Sequence, residues 1–208
     1  MRKIVLSLMG LVLVCAASAQ LSVGVNANYS KYAGYLSKGT PGLGLRVAFE
    51  KEKNSVVLSF TNGFAIKETG SVSVIHNSTG SSKDVATEST LGFKTISLMG
   101  LHTLIGDEES TGNLYGGFGA AFVLANYKEK ITGSYDNNYT APDMTSENSN
   151  GLTINALLGG QYKLGKPAIF AEAGFAFPAN TVNNMYVENV IPAHLIFNLG
   201  VKFTLGGE

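Results

Sequence analysis

Cysteine is all but missing: Cys15 is the only one, and it lies in the extreme N-terminal segment. The rest of the chain therefore offers no disulfide, no cysteine metal ligand and no thiol nucleophile. Tryptophan is absent, prolines number 5, and charged residues make up only 14% of 208 residues. Basic and acidic residues balance at 15 each, so no basic excess points to nucleic acid as a partner. Long apolar runs are scarce too. Beyond the N-terminus no segment has the ~20 consecutive apolar residues of a membrane helix.

The one apolar run opens the chain. Arg2 and Lys3 precede it, and Ile4 to Cys15 is apolar except for Ser7 and Gly10. Ala17-Ser18-Ala19 then supplies the small-x-small pattern of a signal-peptidase site. The spacing predicts Sec-type export with cleavage after Ala19, so residues 1–19 are a signal peptide and residues 20–208 the mature domain. A membrane anchor is the rival reading, but the run is short for a span. A lipoprotein signal at Cys15 is disfavoured by the bulky Val14 before it. Removing residues 1–19 from 208 leaves 189, a length that suits one domain. It also removes two basic residues and no acid, so 13 basic face 15 acidic.

What is present is glycine, 25 residues, and a repeated period-two pattern. The last segment is clearest. Leu195, Phe197, Leu199, Val201, Phe203 and Leu205 fall on one face, and Ile196, Asn198, Gly200, Lys202 and Thr204 on the other. Strict alternation over this length is a strand, because a helix repeats every 3.6 residues. Leu43, Leu45, Val47 and Phe49 likewise oppose Gly44, Arg46, Ala48 and Glu50, and Leu21, Val23, Val25 and Ala27 oppose Ser22, Gly24, Asn26 and Asn28. Further strands are predicted over 152–163 and 168–177. Those over 55–67 and 113–127 alternate less cleanly, and one over 91–105 is ambiguous in phase. The total is eight.

The connections alternate in length. Those near Lys51–Asn54, Gly106–Gly112 and Gly165–Pro167 are short. Those over 30–42, 68–90, 128–151 and 178–192 are long. Short turns at one end and long loops at the other are the habit of outer-membrane barrels. A soluble eight-stranded barrel of lipocalin type is the competing architecture, but its interior is apolar. Here one face of most strands is apolar while the other carries Arg46, Glu50, Glu172 and Lys202 among Gly, Ser, Asn and Thr. The pattern predicts an all-β, eight-stranded, antiparallel up-and-down transmembrane β-barrel with these four charges paired inside. An eight-stranded barrel has room for little beyond its own side chains. Gly116, Gly117, Gly119, Gly159, Gly160 and Gly174 are expected to relieve crowding there. Gly117-Phe118-Gly119 has neither the third glycine nor the βαβ context of a dinucleotide loop. Tyr29, Tyr127 and Tyr162 lie near predicted strand ends, where interfacial aromatics gather.

In these features the chain resembles the small outer-membrane β-barrel family, the OmpX/OmpA-type barrels and especially the porin-like barrels of Bacteroidetes. The resemblance spans the mature chain as a pattern. Its most specific part is Asn198-Leu199-Gly200-Val201-Lys202-Phe203-Thr204-Leu205, which matches the family's assembly signal of polar, any, Gly, any two, aromatic, any, hydrophobic. The resemblance implies that Asn198, Gly200, Phe203 and Leu205 are read by the outer-membrane insertion machinery. Gly206-Gly207-Glu208 follow, whereas many members end on the aromatic.

Candidate chemistry is sparse. His76-Asn77-Ser78, with Glu88 further on, resembles the His-x-Ser and distal Glu of outer-membrane lipid A deacylases, but spacing and strand context differ and the segment is Ser/Thr-rich. His102 is expected in a strand wall and His194 exposed at a strand start. Asp136, Asn137, Asn138, Asp143 and Glu147 make an oxygen-rich loop without EF-hand order. Ser71 to Ile75 continues to alternate, and pairing with Val85-Ala86-Thr87 predicts a hairpin above the membrane whose edge is open to strand addition. The expected function is a non-enzymatic outer-membrane barrel. It contacts outer-membrane lipid, takes a protein partner at its outer loops and needs no cofactor, metal or catalytic residue. A lipid A-modifying hydrolase and a narrow solute pore are the alternatives.

Overall fold

Period-two alternation buries one face of a strand and leaves the other outside, and strands of this kind close their edges by pairing in a ring. The structure, a computed structural model, describes residues 19–33, 39–107, 110–144, 146–179 and 193–205. The segment expected to be a signal peptide up to Ser18, parts of the expected long loops and Gly206 to Glu208 lie outside the described residues.

The strands are β1 (Gln20–Tyr32), β2 (Gly39–Lys51), β3 (Asn54–Gly63), β4 (Ile66–His76), β5 (Ser82–Ile105), β6 (Gly112–Ile131), β7 (Tyr139–Thr140), β8 (Ser146–Lys163), β9 (Pro167–Pro178) and β10 (His194–Leu205). All pairings are antiparallel. β3, β2, β1, β10, β9, β8, β6 and β5 follow one another, and β3 pairs back onto β5. That closes an up-and-down barrel of eight strands. The first and last strands meet along their whole length, from Leu21↔Leu205 to Tyr32↔His194.

β3 and β4 are two pieces of one edge along β5. β3 covers β5 from His102 to Lys94, and β4 takes over from Leu91 to Ser82. The segment expected over 55–67 thus ends at Gly63, and a separate strand begins at Ile66. Between them the Phe64 N–H donates to the Pro41 carbonyl at 2.8 Å. The upper half of β5 and β4 form a hairpin rising beyond the ring, with Val72 opposite Val85 and Ser71 opposite Ala86. The loop after β6 wraps this hairpin. Thr132 and Gly133 donate to the Ala86 carbonyl, Asn77 donates to the Asn138 carbonyl, and β7 pairs Tyr139 with His76 and Thr140 with Ile75. This loop therefore occupies the outer end of the β4 edge.

The turns at the opposite end are short. Glu52 and Lys53 join β2 to β3, with Glu52 in the left-handed region, and Gly165 does the same between β8 and β9.

The alternation has the sense expected. Leu45, Ile154, Leu158 and Leu199 point outward and are 57–65% exposed, while Ser22, Asn26, Thr153 and Asn155 are buried inside. Phe118, at 77%, is the most exposed of the outward apolar residues. The uncertain phase of β5 has a plain cause. Its outward Ile96 and Leu98 and its inward Phe93, Met99 and Leu101 are all apolar. Met99 and Leu101 pack with Ala48, Val57 and Tyr115 in a small internal core, and Phe93 packs with Tyr32, Ile66, Val123 and Ala125 in a second, higher one.

Candidate functional site: the lumen and the outer rim

The inward positions of β1, β2, β6, β9 and β10 converge on Glu172. Arg46 on β2 donates to its Oε1 at 2.7 Å, Tyr115 on β6 donates to the same oxygen at 2.9 Å, and Asn198 on β10 donates to Oε2 at 3.0 Å. Asn28 and Asn26 on β1 donate in turn to the Asn198 side-chain oxygen Oδ1, at 2.8 and 3.3 Å. The Arg46 guanidinium also lies 4.3 Å from the centre of the Phe170 ring. A carboxylate with three donors and a cation resting on an aromatic face are arrangements that make burial of charge tolerable. One level down, Lys202 on β10 is paired with Glu50 on β2. Arg46, Glu50, Glu172 and Lys202 thus sit on inward faces as two ion pairs. They bracket β1, which carries Gly24 at the level where a Cβ would meet Lys202 and Arg46.

The glycines divide between the two faces. Gly159 faces inward, where a Cβ would lie 2.8 Å from both Glu172 and the Tyr115 ring, and Gly117, Gly119 and Gly174 are similarly crowded. Gly116 and Gly160 instead face outward, because they alternate with Tyr115, Gly117 and Gly159 along their strands. For these two the expectation of an interior role is corrected.

Two cavities lie in the lumen. Above the Glu172 network is a cavity of about 70 Å³ lined by Asn26, Asn28, Ser59, Ser97, Asn155 and Asn198, among others. Below it is a vestibule of about 670 Å³ lined by Glu50, Lys53, Tyr115, Lys163, Lys166 and Lys202, among others. Arg46 and Leu101 line both.

One tyrosine and one histidine expectation change. Tyr29 and Tyr162 face outward, but Tyr127 is on the inward face and donates to Ser89 Oγ at 3.2 Å. It is in register with Leu91, and both follow the inward phase of Phe93 and Ala125. His194 is buried, not exposed, with its ring 4.7 Å from that of Tyr32, which stacks on Phe93 at 4.5 Å. It begins β10 on an inward position, so pairing with Tyr32 decides its burial. His102 stands in the wall of β5 facing outward, hydrogen-bonded to Asn54 at 2.9 Å.

His76 and Ser78 are close, 3.1 Å apart, but the geometry is that of a turn. His76 Nδ1 also receives the backbone N–H groups of Ser78 and Thr79 at 3.3 Å. Glu88 is on the opposite face of the hairpin, in register with Thr69, six residues or about 20 Å along β5 from Ser82. Its carboxylate pairs with Lys130 at 3.0 Å and Lys67 at 3.4 Å. The lysine partners hold it below its usual titration range. In the oxygen-rich loop Asp136 accepts the Asn138 N–H. Among the described residues no three His, Cys, Asp or Glu side chains converge as a metal site.

Asn198 and Gly200 of the C-terminal pattern face the lumen, and Phe203 and Leu205 face outward. Sequence reasoning missed the Tyr115 donor to Glu172 and the gathering of lysines at the outer rim. Only the strand register brings those residues together.

Three solved structures bear on this architecture. A major outer membrane protein from Thermus thermophilus superposes with TM-score 0.58 at 13% identity, covering 90% of this chain and 100% of that one. The fold is that of the small outer-membrane β-barrels. Neisserial surface protein A gives TM-score 0.52 at 13% identity, over 89% of this chain and 97% of its own. Ail, the attachment invasion locus protein of Yersinia pestis, solved in complex with the heparin analogue sucrose octasulfate, gives 0.50 at 15% identity, over 90% and 97%. No protein-family model and no curated protein sequence matches the chain. The likeness to these barrels is one of fold.

Proposed function

We propose that the chain is a non-enzymatic outer-membrane β-barrel that is exported with cleavage after Ala19, inserted through its C-terminal strand and active through its outer loops. The observation that carries this reading is the sense of the alternation. Large apolar residues face outward on every strand of the ring, and the charges are paired inside. In water such a surface would aggregate; against lipid it is the stable arrangement. The hairpin clasped by the loop after β6 is a preformed surface for a protein partner.

The reading is tested by fractionation and by gel mobility with and without heating. A protein found in the outer membrane with a heat-shifted band supports it, and a soluble periplasmic protein overturns it. For the lipid A hydrolase alternative, replacing His76 and Ser78 by alanine is expected to leave the lipid A mass profile of the host unchanged. A narrow pore is the second reading, and the two cavities that meet at Arg46 favour it. Planar-bilayer conductance of the wild-type chain and of Glu172→Ala separates the two: a silent wild type excludes steady conduction.

A further inference from the structure

Along β5 the outward side chains change character within two residues. Leu98 and Ile96 are apolar, and the next outward positions are Lys94, Gly92, Thr90 and Glu88. β3 changes between Phe60 and Asn62. β6 changes between Leu124 and Asn126, followed by Lys128 and Lys130. The register sets these residues on common rungs. Asn62, Lys94 and Leu124 share one, Lys67, Thr90 and Lys128 another, and Thr69, Glu88 and Lys130 the next. Four lysines from three strands therefore stand on one patch of the outer wall, immediately above the apolar belt.

Strand separation and rise give the scale. The Cα atoms of Lys67 and Lys128 flank Thr90 at about 10 Å, Lys130 is about 7 Å from Lys128, and Lys94 lies about 14 Å down the strand from Thr90. Flexible lysine side chains span much of these gaps. The floor between them is low, since Gly92 has nothing within 4 Å of where a Cβ would be. Glu88 is the carboxylate inside the patch, and it holds Lys67 and Lys130, each 63% exposed, in place. The next carboxylate on this face, Asp84, is two rungs further out and accepts a bond from Ser73. Lys94 and Lys128 are exposed and make no ion pair among the described residues.

We infer that this patch binds the phosphate-bearing headgroup of an outer-leaflet glycolipid, whose acyl chains lie along Phe60, Ile96, Phe122 and Leu124. The inference rests on reading the outward belt as lipid-facing. A soluble polyanion has no use for the belt. A lipid with more than one phosphate uses both halves at once, chains against the phenylalanines and phosphates against the lysines.

The test uses the full chain refolded into phosphatidylcholine nanodiscs containing bisphosphorylated lipid A, its dephosphorylated form, or inorganic phosphate alone. Native mass spectrometry counts the molecules retained per barrel. Wild type is expected to retain bisphosphorylated lipid A and neither of the other two. Lys67→Gln/Lys128→Gln/Lys130→Gln is expected to lower retention about tenfold or more. Lys53→Gln/Lys166→Gln, at the other end of the barrel, is expected to leave it unchanged. Lys128→Gln alone breaks no ion pair and keeps the test in hand should the triple variant misfold. Retention within twofold of wild type in the triple variant overturns the site, as does equal loss in the Lys53/Lys166 control. So does retention that survives dephosphorylation, or capture of free phosphate. A wild-type chain without a heat-shifted band fails earlier, at the membrane reading itself.

Discussion

The barrel wall and the hairpin that rises from it use the same alternation in opposite senses. In the wall, Ile96 and Leu98 of β5 face out, and Thr95 and Ser97 line the polar lumen. In the hairpin, Val85 of the same strand is buried on the inward face opposite Val72, Val74 is buried on that face too, and Ser71, Ser73 and Lys67 face out. The backbone is continuous and the pairing is antiparallel throughout. On the proposed membrane-spanning reading, only the medium on the outside differs. Hydrocarbon outside demands apolar residues there, and water outside returns them to the inside. On the membrane-spanning reading proposed above, the inversion between Ile96 and Lys94 marks where the membrane ends.

Predictions follow this contrast, in order of expected effect. The largest belongs to the inside of the wall. Glu172→Ala leaves Arg46 buried without its carboxylate, which is expected to cost about 3–5 kcal/mol, measured by urea unfolding of the barrel in vesicles. Glu172→Gln keeps one acceptor oxygen for Arg46 and Tyr115 but sets an amide N–H group against the Asn198 donor, so it removes the charge and one hydrogen bond while keeping the side-chain volume. Next is the outside of the wall. Leu98→Arg is expected to cost about 2–4 kcal/mol in the same assay. Ser71→Arg, also outward but on the hairpin, is expected to stay within about 0.5 kcal/mol. Equal penalties at the two positions would remove the proposed boundary.

The hairpin should also fail independently of the barrel. Val85→Asp places a charge against Val72 and Gly133, so the clasping loop is expected to become sensitive to protease while the heat-shifted band remains. A lost band would tie the two regions more closely than their packing suggests. The smallest effect is the pH response of Glu88. Its folded pKa is depressed by Lys130 first and Lys67 next. Its contribution is therefore present above the ordinary carboxylate value near ~4.3 and lost as pH falls through the lowered one. Hydrogen exchange at the Glu88↔Lys130 rung should quicken, after correction for intrinsic rates, from pH 5 to pH 3, and Glu88→Gln should remove the change.

Much of the architecture was legible because the physics is local. A strand with lipid on one side must alternate, so β1, β2, β8, β9 and β10 could be read directly, as could the short turns at Glu52-Lys53 and Gly165. The phase of β5 was not legible, since Met99 and Leu101 pack apolar mass into the lumen on the face expected to be polar. The burial of His194 depends on Tyr32, 162 residues earlier, and the inward turn of Tyr127 on Ser89. Such facts come from register, which no local pattern encodes. The lysine patch was hidden for the same reason, since Lys67, Lys94 and Lys128 are unremarkable in sequence and become neighbours only across three strands.

The boundary itself is best tested by accessibility along β5. The chain after Cys15 has no cysteine, so single cysteines at 84, 88, 90, 94, 96, 98 and 104 can each carry a spin label in reconstituted barrels. Collision rates with oxygen and with a water-soluble nickel complex report the medium at each site. The account predicts oxygen-dominated relaxation at 96 and 98, nickel-dominated relaxation at 84, 88 and 90, and a crossover at 94. Nickel access that is uniform from 84 to 104 would contradict it.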